Sequence, residues 1–245
     1  MAGGKVEEAM KKFQLMGVAL FALLACGVFT AASASAAATF LLAEWLVGGV
    51  AVTTELAVEA SGELTLKDSG TGASVLCSVI FDGWVGPNSL GYISEVLTLG
   101  GGLTSNPLGS VPVLCVAQER CAAAPAPEAW AVNIPWETES ELMEDSGVFF
   151  AILLTSPAAA KTVGWAVECT ILGVRSEDTC TASEGVSEVN LEGGNLIVSF
   201  SPAFTILAGA KLANCTVGGT ERGEITGETR FTLNGGGEIT PSSGA

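Results

Sequence analysis

Carboxylates and cysteines are the residue types with the most chemical scope in this chain. The run "WETESELMED" places Glu137, Glu139, Glu141, Glu144 and Asp145 directly after Trp136. A glycoside hydrolase needs only two carboxyls about 5–10 Å apart across a cleft, one acting as acid and the other as base or nucleophile. An aromatic ring beside them could stack on a sugar face, and Trp84 in "DGWVGPN" is the best exposed candidate for that role. The competing reading of the acidic run is a solvated loop or a single helical turn without chemistry. A calcium site is a third reading, but calcium loops favour Asp and Asn around a glycine turn. This run lacks that pattern, and only four of the 26 acidic residues are Asp. Neither a metal nor a cofactor is expected.

The chain contains no histidine. That removes Ser-His-Asp, Cys-His and His-metal designs together. No nucleophile-elbow, phosphate-loop or dinucleotide-binding pattern occurs either. No catalytic residue is therefore assigned. Ten basic against 26 acidic residues give a net charge of −16. Such a surface repels phosphate backbones and anionic lipid, so nucleic acid is excluded as a partner.

The first forty residues point to export. Lys5, Lys11 and Lys12 precede an uncharged run from Phe13 to Thr30, which ends in "AASASAAA". Positive, apolar, then small is the layout of a cleaved secretory leader, here residues 1–38. Cys26 in "LLAC" offers a rival, lipid anchoring. The apolar run continues past it, however, and a better cleavage tract follows. Later apolar runs are too short to span a bilayer. No stable membrane span is expected once the leader is removed.

Seven cysteines are present, and either fate of Cys26 leaves six: Cys77, Cys115, Cys121, Cys169, Cys180 and Cys215. An even number in an exported chain implies up to three disulfides. Sequence alone does not choose the connectivity. Short local loops favour Cys115–Cys121 and Cys169–Cys180, leaving Cys77 to Cys215. That last closure would be long and worth on the order of 4–5 kcal/mol in the chain-entropy view. Zinc is disfavoured, because no CxxC and no histidine occur.

The elements that must carry these residues are strands. "VAVTTELAVEA" (50–60) alternates, with Val50, Val52, Leu56 and Val58 on one face. Ser61-Gly62, "SGTG" (69–72), "GPN" (86–88) and Gly193-Gly194-Asn195 read as turns. "WAVNIPW" would put Trp130 and Trp136 on one face, and Trp165 shares parity with Val167 and Cys169. Both Trp130 and Trp165 are expected in the core. The tail "NGGGEITPSSGA" reads as frayed. About a dozen short strands predict an all-β chain, a β-sandwich or partly closed barrel, as one domain over 39–245. The Ala/Pro loop at 122–129 is a candidate boundary.

"SGELTLKDSGTGASVLCS", "VGPNSLGYISEVLTL" and "GWAVECTILGVRSEDTCTASEGVSEV" together resemble a family of uncharacterised secreted proteins of actinobacterial, high-GC Gram-positive type. The resemblance implies an exported, disulfide-bonded β protein and supplies no catalytic residues. The leading expectation is an exported, non-enzymatic structural or binding component of the cell surface or surroundings. The alternative is a carbohydrate-binding module or a carboxylate-only glycosidase, with Trp84, Trp136, Glu137, Glu139 and Glu141 as candidate ligand-binding residues. The partner would be a glycan or an envelope component. A third reading is a strand-donating assembly subunit with its donor arm near residues 39–50.

Overall fold

A computed structural model describes residues 39–97, 113–145, 148–158, 162–192, 195–207 and 211–242. The expected leader and Cys26 lie outside the described residues. In chain order the strands begin with β1 (Thr39–Leu42), β2 (Trp45–Val47), β3 (Val50–Ala51), β4 (Leu56–Asp68), β5 (Ala73–Val85) and β6 (Leu90–Leu97). Next come β7 (Val113–Leu114), β8 (Val116–Ala117), β9 (Glu128–Val132), β10 (Trp136–Asp145), β11 (Val148–Pro157) and β12 (Val163–Ile171). The last are β13 (Val174–Ala182), β14 (Gly185–Glu192), β15 (Asn195–Phe200), β16 (Ala213–Cys215), β17 (Gly219–Leu233) and β18 (Ile239–Pro241). One helical turn and a half, α1 (Pro202–Leu207), follows β15.

The all-β expectation holds, and closure is complete. Strands β4, β5, β6, β10, β11, β14, β15 and β17 pair antiparallel around an eight-stranded barrel, which β15 and β17 seal. Closure removes the exposed edges that an open sheet would carry. Strands β4, β5 and β17 are unusually long, at 13, 13 and 15 residues. Their far ends run past the barrel and found a second sheet, which continues from β17 through β16, β13, β12 and β9 to β7. β8 adds to β5, and β1 pairs with β10 of the same chain over the segment expected as a donor arm. Residues 38–245 form one compact unit.

Several local expectations are corrected. Ser61-Gly62 is not a turn, because β4 runs straight through it. A Cβ on Gly62 would meet the Glu228 carbonyl oxygen at 2.0 Å, so this glycine serves close approach to β17. Val50 is exposed, because the alternating run breaks between β3 and β4. The tail is tied down: β18 pairs with β2, and Ile239 is buried. The acidic run is neither loop nor helical turn but barrel strand β10. Its inward positions at two-residue spacing hold Thr138, Ser140 and Leu142, so polar residues on both faces hid the period of two.

One core cluster sits at the β2–β3–β18 end of the barrel. Trp45 fills that end, with its indole N–H donating to the Ser89 carbonyl at 3.2 Å and its ring stacked on Phe231. The other cluster lies between the long strands and the second sheet, and it contains all six cysteines. The bonds are Cys77–Cys115, Cys121–Cys169 and Cys180–Cys215, so none of the three expected pairings forms. In the β12–β13 hairpin Cys180 stands opposite Trp165, while Cys169 stands opposite Ser176. Cys180 instead faces Cys215 across β13 and β16. The short β8 lies along β5, which carries Cys115 towards Cys77 and away from Cys121.

Candidate functional site

Strand geometry splits the site expected from sequence. Successive side chains on a strand point to opposite faces. Trp136 therefore faces inward, lining an internal cavity with its indole N–H donated to the Val132 carbonyl at 3.0 Å. Glu137, Glu139 and Glu141 point outward at two-residue spacing. Burial raises the Glu141 pKa above the ordinary glutamate value, and repulsion from Glu139 and Glu184 adds to this. Trp84 is half-buried and stacks on Tyr92, with ring centroids 5.7 Å apart and planes 13° from parallel. Tyr92 stands directly opposite Trp84 on one side and Glu137 on the other. The structure thus brings Trp84 and Glu137 together through Tyr92 and leaves Trp136 on the other face.

That other face holds the largest feature sequence reasoning missed. A cavity of about 170 Å³ lies where the barrel meets the second sheet. Barrel residues Val79, Phe81, Leu153, Val198 and Phe231 form one wall. The second sheet contributes Trp165 and a set of small residues, Ala129, Ala131, Ala182 and Ala213. Those short side chains leave the space that larger ones would fill. Glu184, Ser201 and Lys211 also line it, and Lys211 forms an exposed ion pair with Glu221 at 3.6 Å. Trp165 is buried in the core as expected. Trp130 is only half-buried at the cavity wall, because Ala129 and Ala131 take the inward positions of β9. The available sequence signal was a strand whose inward face is Ala rather than Val or Leu.

A second polar feature sits beside the cysteine cluster. The Asp178 carboxyl accepts hydrogen bonds from Thr216 Oγ1 and the Val217 N–H, both at 2.9 Å. Asp68 accepts from the Gly70 N–H at 2.8 Å and the Thr71 N–H at 3.2 Å. Burial raises the Asp178 pKa above its ordinary value. The two hydrogen bonds to Asp178 oppose that rise, and Asp68 adds to it. Asp178, Cys180 and Cys215 form a cluster of metal-ligand types among the described residues. The two sulfurs are bonded to each other, however, so no thiolate is offered.

The fold and site together define a closed eight-stranded antiparallel barrel with a disulfide-bonded side sheet and an apolar cavity between them. Comparison with protein-family models, curated proteins and solved structures finds no match. Function therefore has to be argued from the site itself.

Proposed function

We propose that this chain is an exported, non-enzymatic binding protein whose cavity takes a small apolar molecule. The cavity carries the reading. Ligand sites are concave and mostly apolar, and the mouths of β-barrels are a preferred place for them. A dry cavity of about 150 Å³ binds benzene, and this one is slightly larger. Export is supported by the leader-like first segment and by three disulfides, which fit an oxidising compartment. Among the described residues no helix is long and apolar enough to cross a membrane. Toluene titrated into the oxidised protein should give a saturable change in tryptophan emission, because Trp130, Trp136 and Trp165 line the cavity. Ala182→Leu, which fills the cavity, should abolish the change. A response that is non-saturable, or unaltered in the variant, overturns the reading.

A second reading, glycan binding on the outer wall, is favoured by one observation: the Trp84–Tyr92 stack with Glu137 beside it. Aromatic faces take apolar sugar faces, and a carboxylate accepts from hydroxyls. A glycan array probed with the protein and with Trp84→Ala decides it, since no glycan lost on substitution means no such site.

A further inference from the structure

Among the described residues, two buried polar groups of the cavity wall find no hydrogen-bond partner. Thr229 is 2% exposed and Trp165 is 6% exposed. Thr229 Oγ1 and Trp165 Nε1 have no hydrogen-bond partner, and both residues line the cavity. Thr229 belongs to the barrel strand β17, and Trp165 to the second-sheet strand β12. Three other polar side chains of the wall contrast with them. Trp136 Nε1 donates to the Val132 carbonyl, Thr205 Oγ1 to the Ser201 carbonyl at 3.1 Å, and Ser187 Oγ to the Leu153 carbonyl at 3.4 Å. Buried polar groups are rarely left unpaired, and each exception asks for an explanation. Here both exceptions are donors, a hydroxyl and an indole N–H.

The same wall argues against charge. Among the described residues its only cation is Lys211, which is exposed and paired with Glu221. A carboxylate drawn into the cavity would exchange water for neutral donors only, which is unfavourable. The chain's net charge of −16 would repel it further.

Resting on the apolar-binding reading above, we infer that the cavity selects uncharged, oxygenated apolar molecules. Such a ligand has an apolar body of about six to ten carbon atoms, by comparison with the cavity that holds benzene. Its carbonyl or ether oxygen accepts from Thr229 Oγ1, Trp165 Nε1 or both. Rotation of Thr229 about χ1 carries its hydroxyl among three staggered positions, so it can turn to an incoming oxygen without backbone movement.

Three probes of similar size test this in the oxidised protein: ethylbenzene, acetophenone and benzoate. Affinities come from tryptophan emission and from the indole N–H resonances. Thr229→Val keeps the shape and removes the hydroxyl; Trp165→Phe removes the N–H. Acetophenone should bind, and at least one substitution should weaken it about two- to tenfold, the range of a net hydrogen bond. Ethylbenzene should be unaffected by Thr229→Val, and benzoate should bind weakest. Thr229→Val carries the test alone if Trp165→Phe fails to form its three disulfides. Acetophenone affinity unchanged by every folded variant, or benzoate binding tightest, overturns the inference while leaving apolar binding intact. Saturable binding by none of the three overturns both.

Discussion

The carboxyl of Asp178 on β13 lies beside that of Asp68 at the end of β4, where both line one small pocket. Burial and the neighbouring carboxylate both disfavour the charged form of Asp178. Gly218 packs directly against Asp68, since a Cβ there would sit 1.8 Å from Asp68 Oδ1. The contact clamps the turn of two long barrel strands onto the edge of the second sheet, next to the Cys180–Cys215 bond.

The pair makes stability pH-dependent in a defined direction. Burial raises the Asp178 pKa in the folded state above the ordinary 3.8. Its contribution is therefore complete below that ordinary value and is lost as pH rises through the raised one. Asp178→Asn removes the charge at every pH. The variant should be more stable than the parent at pH 8, by less than about 1 kcal/mol because the side chain is partly open to water. Near pH 4 the gain should vanish. Melting curves of both proteins at the two pH values check this. A variant that is less stable at pH 8 rules out this penalty on the Asp178 charge.

Gly62 tests whether close strand approach, rather than a turn, explains a mid-strand glycine. A Cβ there meets backbone, the Glu228 carbonyl oxygen, not a flexible side chain. Gly62→Ala should cost about 1–3 kcal/mol or more by overpacking. Gly185→Ala, whose Cβ would lie 3.7 Å from the Thr155 side chain, should cost far less. Denaturant midpoints of the two variants give the comparison, and equal losses would refute the close-approach account.

These cases show what the sequence exposes and what it conceals. Strand content and the turns at 69–72 and 86–88 follow from hydrophobic alternation and from glycine clusters, which are local signals, while Gly193-Gly194 lies outside the described residues. Gly62 misleads because the same residue type serves a turn and a close approach, and only the partner strand distinguishes them. Strand β10 misleads because Thr138 and Ser140 occupy inward positions, so its apolar period disappears. The candidate site was half legible. Trp84 and Glu137 do come together, but only Tyr92, from a third strand, connects them. The cavity was invisible because it arises where small inward residues of the second sheet face the barrel, a non-local juxtaposition.

Disulfide connectivity is the sharpest of these non-local facts. Peptide mapping without reduction should return Cys77–Cys115, Cys121–Cys169 and Cys180–Cys215. Replacing Cys180 and Cys215 together by Ala opens a link of sequence separation 35. The loss should be about 3–4 kcal/mol in the chain-entropy view. A map showing Cys169 bonded to Cys180 would refute the strand register of the second sheet.

Trp45 and the C-terminal strand should prove equally structural, although the tail reads as frayed from its composition. Trp45 is 1% exposed and closes one end of the barrel. Strand β18 pairs with its strand, Pro241 standing opposite Trp45. Ile239 joins the same cluster. Trp45→Ala should cost about 3–5 kcal/mol through the cavity it leaves. Ile239→Ala should cost about 2–5 kcal/mol on the same grounds. Because the two residues share a cluster, the double variant should lose a different amount from the sum of the singles. Melting or denaturant curves of the four proteins decide this. Strict additivity with a negligible Ile239→Ala effect would return the tail to the frayed state its glycines suggest.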